Sequence, residues 1–431
     1  MRPLLSRATS GRATGSLKRK CPSSAIRLHP PALRPFSSTS SLPTVQFNAP
    51  GARPLEGTTV VALEQVIAGP YCTRQLADLG ARVIKIERPR LGDFLRYHDK
   101  RVKGLCSHFV WTNRNKESLE LDVKQEKDMK ILKKLLRKAD VFLHNLVPGA
   151  TERLGLGFDA VHALNERLIV CQISGYGADG PYTKKKAYDL LVQAEAGMLS
   201  ITGTPDQPSK VGASIADIAA GMYAYSGILA ALLQRTKTGK GCLLDISMLE
   251  SLTEWMGFPL YYALDDQPPP PREGASHASI YPYGPFETGQ GTVMLGLQNE
   301  REWVILCEKV LDMPGLAKDA RFVDTAARSR NRRELYDIIC KSLSNFTAEE
   351  AARRLDEAGI ANGMLRDMHA VWHHPQLKAR RRWREIQTEM GPVPSFITPG
   401  MSADVEPRLD PVPSVGQHND KILAELDNSQ H

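Results

Sequence analysis

The chain has 431 residues, 24% of them charged and 42% hydrophobic, with a formal net charge of +8. That length allows two or three domain-sized units, and the apolar content is enough for a sizeable core, which excludes a disordered chain. Seven cysteines without a C-x-x-C pair exclude a disulfide scaffold and a zinc ribbon.

The charge is unevenly spread. Residues 1–50 carry Arg2, Arg7, Arg12, Lys18, Arg19, Lys20, Arg27 and Arg34 and no acid; the first acid is Glu56. Setting those eight aside leaves 48 of the 56 basic residues against 48 acids, so the remainder is formally neutral. Residues 1–45, rich in Arg and Ser, resemble a mitochondrial presequence, and Arg34-Pro35-Phe36-Ser37 resembles its processing site. The other reading is a basic tail for nucleic acid; the lack of acids and the processing-like end favour targeting to the mitochondrial matrix, and a neutral mature chain argues for no nucleic-acid partner.

Along the chain, 59–63 reads as a buried strand. A helix over 70–79 starts at Pro70 and stops at Gly80, and a second strand covers 81–86. Strand, helix and strand with tight connections make a parallel βαβ unit. A strand at 119–123, a helix at 125–138 and strands at 140–143 and 167–173 continue the series. The expected fold class is therefore α/β, with a sheet covered on both faces. Residues 218–233 are uncharged, but sixteen residues fall short of a membrane span, so they are expected to form a central helix buried on nearly all sides, with no membrane span. A strand at 243–247 follows. The prolines at 268–271 read as a linker. Beyond it come a strand at 292–297 and helices near 300–311, 331–343 and 348–358, the last opened by a Thr347–Glu350 capping box and closed by Gly359. The expected division is a presequence at 1–45, a large α/β domain at 50–265, a small α+β domain at 275–370 and a loop-rich tail at 371–431.

Several motifs carry no site. Gly175–Gly180 fits G-x-G-x-x-G, but Pro181 and three lysines stand where a dinucleotide helix should open. Lys237–Gly241 lacks P-loop spacing and reads as a turn. His373-His374 has no third ligand nearby, so no metal site is expected. The basic run 378–384 is expected to be a solvated helix face. Asp217 is different. It opens the apolar helix, where orphan N–H groups and the helix dipole favour a charged carboxylate, and a poorly hydrated carboxylate is a competent nucleophile. An ordinary N-cap aspartate is the alternative.

Ordered blocks then resemble one family. Ala68-Gly69-Pro70, Leu79-Gly80-Ala81, Val83–Pro89 and Gly92-Asp93 resemble the opening of class III CoA-transferases of the CaiB/BaiF type. Asn113–Lys116, Asn145 with Pro148-Gly149 and Arg153–Gly155, Gly175–Gly177, Ala187–Asp189 and Asp217 with Gly221 match its later blocks. The resemblance runs from about residue 55 to 245 and more weakly, through Gly416–His418, to about 420. It implies a Rossmann-like large domain with a smaller α+β domain, a tail returning to the large domain, and an interlocked homodimer. It implies Asp217 as the nucleophile, with acyl-CoA and a small carboxylic acid as substrates and no tightly bound cofactor. By position, Arg88, Arg153, Lys124 and Lys186 would meet CoA phosphates, and Ile67, Ala68, Leu121, Asn145 and Leu146 would line the CoA pocket. The glycine-containing stretch 284–291 is the expected lid.

Ser276–Tyr283 resembles the matching segment of succinyl-CoA–glutarate transferases, which implies succinyl-CoA as donor and a dicarboxylate as acceptor. Sister racemases carry His-Asp where this chain has Tyr188-Asp189, and racemisation needs an acid–base pair across the α-carbon. A 2-methylacyl-CoA racemase and a non-catalytic CoA-binding protein are the alternatives.

Overall fold

The computed structural model describes residues 53–402 and 404–428. The basic stretch 1–45 and its expected processing site lie outside the described residues.

Short apolar runs build a six-stranded parallel sheet. Its strands are β1 (Thr59–Leu63), β2 (Arg82–Glu87), β3 (Lys116–Glu120), β4 (Val141–His144), β5 (Ile169–Ser174) and β6 (Leu243–Ser247). They lie in the order β3-β2-β1-β4-β5-β6. Helices fill the crossovers, among them α1 (Ala68–Asp78), α2 (Ser107–Asn113), α3 (Glu126–Leu136) and a long helix over Ile215–Thr238. Alternate strand residues go to opposite faces. Val60, Val83, Val141 and Cys171 meet α1 and the long helix, while Val61, Ile84, Phe142 and Val170 meet α3. Both faces are covered, which is why these strands read as unbroken apolar runs.

The third strand lies three residues earlier than expected, and the reason is charge inside the core. Lys116 Nζ donates to Glu64 Oε1 at 2.7 Å, to the Pro70 carbonyl and to Asn113 Oδ1. Lys85 Nζ donates to Asp93 Oδ2 at 3.0 Å and reaches Glu64 Oε1 at 3.4 Å. All four side chains are buried. A polar stretch such as Lys116-Glu117-Ser118 gives no apolar signal, yet it is a strand because its charges are paired. Removing one partner of such a pair typically costs about 3–5 kcal/mol.

The long helix has 24 residues, not sixteen, and ends at Gly239 in the left-handed region. By length and composition alone it could cross a membrane. One face is buried, through Ala216, Ala220, Ala224, Ile228 and Ala231, and Arg235 at its end pairs with Asp140 at 2.7 Å. Leu233 on another face is 65% exposed. The expectation of burial on nearly all sides is corrected to burial of one face. Small residues let that face lie close on α1: a Cβ at Gly221 would stand 2.8 Å from the Ala68 carbonyl oxygen.

A separate antiparallel sheet joins β7 (Tyr283–Glu287), β8 (Thr292–Gly296) and β9 (Ala361–Met364). Phe286, Leu295, Trp303, Leu335, Ile339 and Leu355 form its own core with the helices Arg332–Leu343 and Ala348–Ala358. The capping box and the Gly359 stop are present as read. The stretch 284–291 is not a free lid. Its first half is β7, and Gly289 N–H donates to the Phe346 carbonyl in the turn that follows.

The region after 371 holds more structure than its prolines suggest. β10 (Trp383–Ile386) and β11 (Val393–Phe396) form a hairpin. The basic run ends in β10 rather than on a helix face, and Arg382 donates to the Ile397 and Thr398 carbonyls. Residues 408–427 then run along β3. Asn115 and Asp410 exchange hydrogen bonds, His418 N–H donates to the Ser118 carbonyl, and Ile422 and Leu426 of the helix Asn419–Asp427 enter the α3-side core.

Candidate active site

Strand order reverses between β1 and β4, and in open α/β sheets ligands bind outside the carboxyl ends of the strands at such a reversal. The loops leaving β1 and β4 are tied together there. Gln65 N–H donates to Asn145 Oδ1 at 2.9 Å, and Asn145 Nδ2 returns a bond of 2.7 Å to the Gln65 carbonyl. Arg88, just past β2, donates to Gln65 Oε1 at 3.1 Å. Ile67 and Ala68 are buried at the start of α1, and Leu121 is buried just past β3. Leu146 and the exposed Arg153 line a cleft of about 540 Å³ beyond β4 and β5, with His144, Gln172 and Lys184. Lys124 is exposed after β3, and Lys186 is exposed in the loop after β5, where its neighbour Lys184 is the one that lines the cleft. All nine expected CoA positions therefore leave the carboxyl edge of one sheet, from five successive strands.

Asp217 lies in the first turn of the long helix, partly buried. Gly221 is one turn further on the same face, against Ala68, so helix packing brings the Asp217 turn to the start of α1. The electrostatics differ from the sequence expectation. Asp217 is not the N-cap; Ser214 is, and the freed N–H groups go to Asp189. Asp189 Oδ1 accepts from Ala216 N–H at 2.8 Å and from Asp217 N–H at 3.4 Å, while Asp189 Oδ2 accepts from Gln193 Nε2 at 2.7 Å. Among the described residues no hydrogen bond reaches the Asp217 carboxylate. Burial and the neighbouring Asp189 charge push its pKa up to about 7. Instead of a carboxylate held firmly ionised, the site holds one that is half-protonated near neutrality.

Sequence reasoning missed three contributors. Asp189 was visible only as half of a dipeptide, and nothing in its spacing shows that it caps a helix 28 residues away. Gln65 carries no motif signal. His144 ends β4 with burial pushing its pKa down to about 4, so it is a neutral imidazole, and its Nδ1 has no hydrogen-bond partner. The one group of metal-ligand type among the described residues is Asp99, Cys106 and His108, with ligand atoms within 4.8 Å of one another. There the Asp99 carboxylate accepts from the Ser107 N–H and hydroxyl and from the Cys106 thiol, which makes it a cap for α2.

Known proteins resemble this chain in sequence and in fold. A family model described as CoA-transferase family III matches residues 55–419. The chain belongs to CoA-transferase family III. Human succinyl-CoA:glutarate CoA-transferase is 33% identical over 380 residues, covering 87% of this chain and 86% of that protein. Acetyl-CoA:oxalate CoA-transferase of Acetobacter aceti is 36% identical over 329 residues, covering 76% of this chain and 84% of that protein. The crystal structure of a CAIB/BAIF family protein from Brucella suis superposes with a TM-score of 0.79 at 31% identity, covering 88% of this chain and all of that one. This enzyme is thus a class III CoA-transferase, acting on CoA thioesters, and relatives bearing different donor and acceptor names share its frame.

Proposed function

We propose that this transferase moves CoA from succinyl-CoA to a small dicarboxylic acid such as glutarate, through covalent intermediates on Asp217. The observation that carries the reading is a carboxylate with no hydrogen-bond partner among the described residues, at the start of a helix packed beside a nucleotide-type crevice. The Asp217 carboxylate attacks the donor thioester carbonyl, forming a mixed anhydride and expelling CoA thiolate. The thiolate attacks the aspartyl carbonyl, giving an aspartyl-CoA thioester and free succinate. The acceptor carboxylate attacks that thioester and expels the thiolate again. Attack of the thiolate on the acceptor's carbonyl then forms the new acyl-CoA and restores Asp217. Each tetrahedral oxyanion needs positioned N–H donors, for which the start of α1 at Ile67 and Ala68 is suited, and water must be kept out or the anhydride hydrolyses.

In this reading Arg88, Lys124, Arg153 and Lys186 meet CoA phosphates, and Ile67, Ala68, Leu121, Asn145 and Leu146 line the cofactor's path. The enzyme works as an interlocked homodimer in the mitochondrial matrix. Support for a partner subunit comes from the exposed run Trp255, Phe258, Leu260, Tyr261 and Tyr262. Further support comes from a groove of about 1030 Å³ walled by Trp111, Trp372, Trp383 and Phe396. The domain limits of 50–265 and 275–370, with a returning tail at 371–431, belong to the same proposal. The test is CoA exchange from succinyl-CoA across a panel of acids, with mass analysis of Asp217 after hydroxylamine trapping. Full activity in Asp217→Ala would refute the mechanism. Solvent deuterium entering an α-carbon with no acceptor present would make the enzyme an isomerase instead, and CoA binding without a trapped aspartyl species would make it a binding protein.

A further inference from the structure

Val66 is a β-branched residue with φ of +66°, in the left-handed region that such side chains avoid. It lies in the loop 64–67, which joins a buried strand to a buried helix in four residues. What holds Val66 there is Asp93. Both oxygens of the buried Asp93 carboxylate accept from the Val66 N–H, at 3.3 and 3.2 Å. Asp93 is itself pinned. Its Oδ2 accepts from Lys85 Nζ at 3.0 Å, its Oδ1 accepts from Leu95 N–H at 3.0 Å, and its own N–H donates to Glu87 Oε1 at 2.8 Å. Lys85 also donates to the Glu64 carbonyl at 3.4 Å, at the first residue of the loop. Gly92 permits the approach: its φ is +64°, and a Cβ there would stand 2.7 Å from Glu87 Oε1.

We propose that Asp93 is a positioning residue of the acyl-CoA site. It clamps Val66 in its left-handed conformation and so aims the N–H groups at the start of α1 and the Gln65 side chain into the crevice. Asn145 holds both peptides that flank Gln65, and Asp93 holds the second of them from its N–H side, at Val66. Held by both residues, the Gln65–Val66 peptide is preorganised for a ligand. The inference rests on the reading that this loop meets the CoA donor. It adds a residue that touches no substrate and acts through its hold on one backbone torsion.

Steady-state kinetics of the full chain test it, with succinyl-CoA and glutarate varied separately. Asparagine has one carbonyl oxygen and cannot serve Lys85, Val66 and Leu95 together. Asp93→Asn is therefore expected to raise the donor KM about ten-fold while moving the acid KM by less than about two-fold. Adding Val66→Gly supplies a residue at home at positive φ, and the double variant is expected to return within about three-fold of wild type. A merely structural Asp93 would show no such rescue. A soluble, cooperatively melting double variant no better than Asp93→Asn overturns the proposal. Should Asp93→Asn fail to fold, Val66→Pro removes the N–H and forbids positive φ while leaving the Lys85–Asp93 pair intact. A donor KM at least about ten-fold higher supports the clamp, and a wild-type donor KM overturns it. If the wild-type enzyme exchanges CoA but the rescue fails, this inference alone falls. If wild type exchanges none with any donor and acid, the substrate reading falls and takes this one with it.

Discussion

Two carboxylates at the start of one helix oppose each other. Asp189 takes the N–H groups, and Asp217 is left with burial and a like charge, so its pKa rises to about 7. Only the ionised form attacks a thioester. Donor kcat/KM is therefore expected to climb with pH and level off above about 7, read from a pH–rate profile. Asp189→Asn removes the like charge while keeping an oxygen for Ala216 N–H, so the ascending limb is expected to move down by about one pH unit. The same shift has a sign in stability. A carboxyl whose folded pKa lies above its unfolded value near 4 destabilises the fold progressively as pH rises from about 4 to about 7, after which the loss is constant. Asp217→Asn is thus expected to be inactive yet more stable than wild type at pH 8, by up to about 4 kcal/mol, with the gap vanishing toward pH 4 in denaturant titrations. Asp217 was legible because a lone acid opened a long apolar run. The force that sets its protonation was not, since it comes from a residue 28 positions away. His144 was hidden for a similar reason, as the last residue of a short strand whose empty nitrogen exists only in three dimensions.

At the level of elements, apolar runs located the six strands of the parallel sheet, with β3 offset, but periodicity located only three of the helices around it; α2 and the short helices Ala150–Arg153, Phe158–Leu164, Asp189–Glu195 and Met248–Trp255 gave no signal that was read. Periodicity failed where charge is buried. Lys85, Lys116, Glu64 and Asp93 read as surface residues in isolation and become interior only through one another. It also understated the long helix, whose polar last turn continues past the apolar run to Gly239. Small residues in that helix were a correct sign of close approach, and Gly221 is where it matters. Gly221→Ala would drive a Cβ to within 2.8 Å of the Ala68 carbonyl, an atom that backbone geometry fixes. Destabilisation of about 1–3 kcal/mol is expected by thermal melt. Activity is expected to fall more than stability accounts for, by about ten-fold or more, because the same contact sets the distance from Asp217 to the start of α1.

For the molecule as a whole, the exposed aromatic run at 255–262 and the tryptophan-walled groove are surfaces a lone subunit would leave wet. Sedimentation is expected to give twice the chain mass, with no dissociation on dilution to nanomolar concentration. A chain stopped after Gly400 would keep every strand of the parallel sheet yet lose the cover of β3: Arg408 on the Ala81 carbonyl, Asp410 on Asn115, His418 on Ser118 and Lys421 on Glu117. Such a truncation is expected to be insoluble or to lack a cooperative melt, as seen by circular dichroism. The family resemblance implied the returning tail, but its hydrogen-bonded path along one edge strand could not be read from proline-rich sequence.

That path also sets a timetable. β3 hydrogen-bonds to residues some 300 positions downstream, so the sheet edge stays bare while most of the polypeptide is still being made. Ladder groups left open in this way invite pairing with other chains. All six strands are present once residue 247 is made, but the outer edge of β3 is covered only when nearly the whole chain has followed.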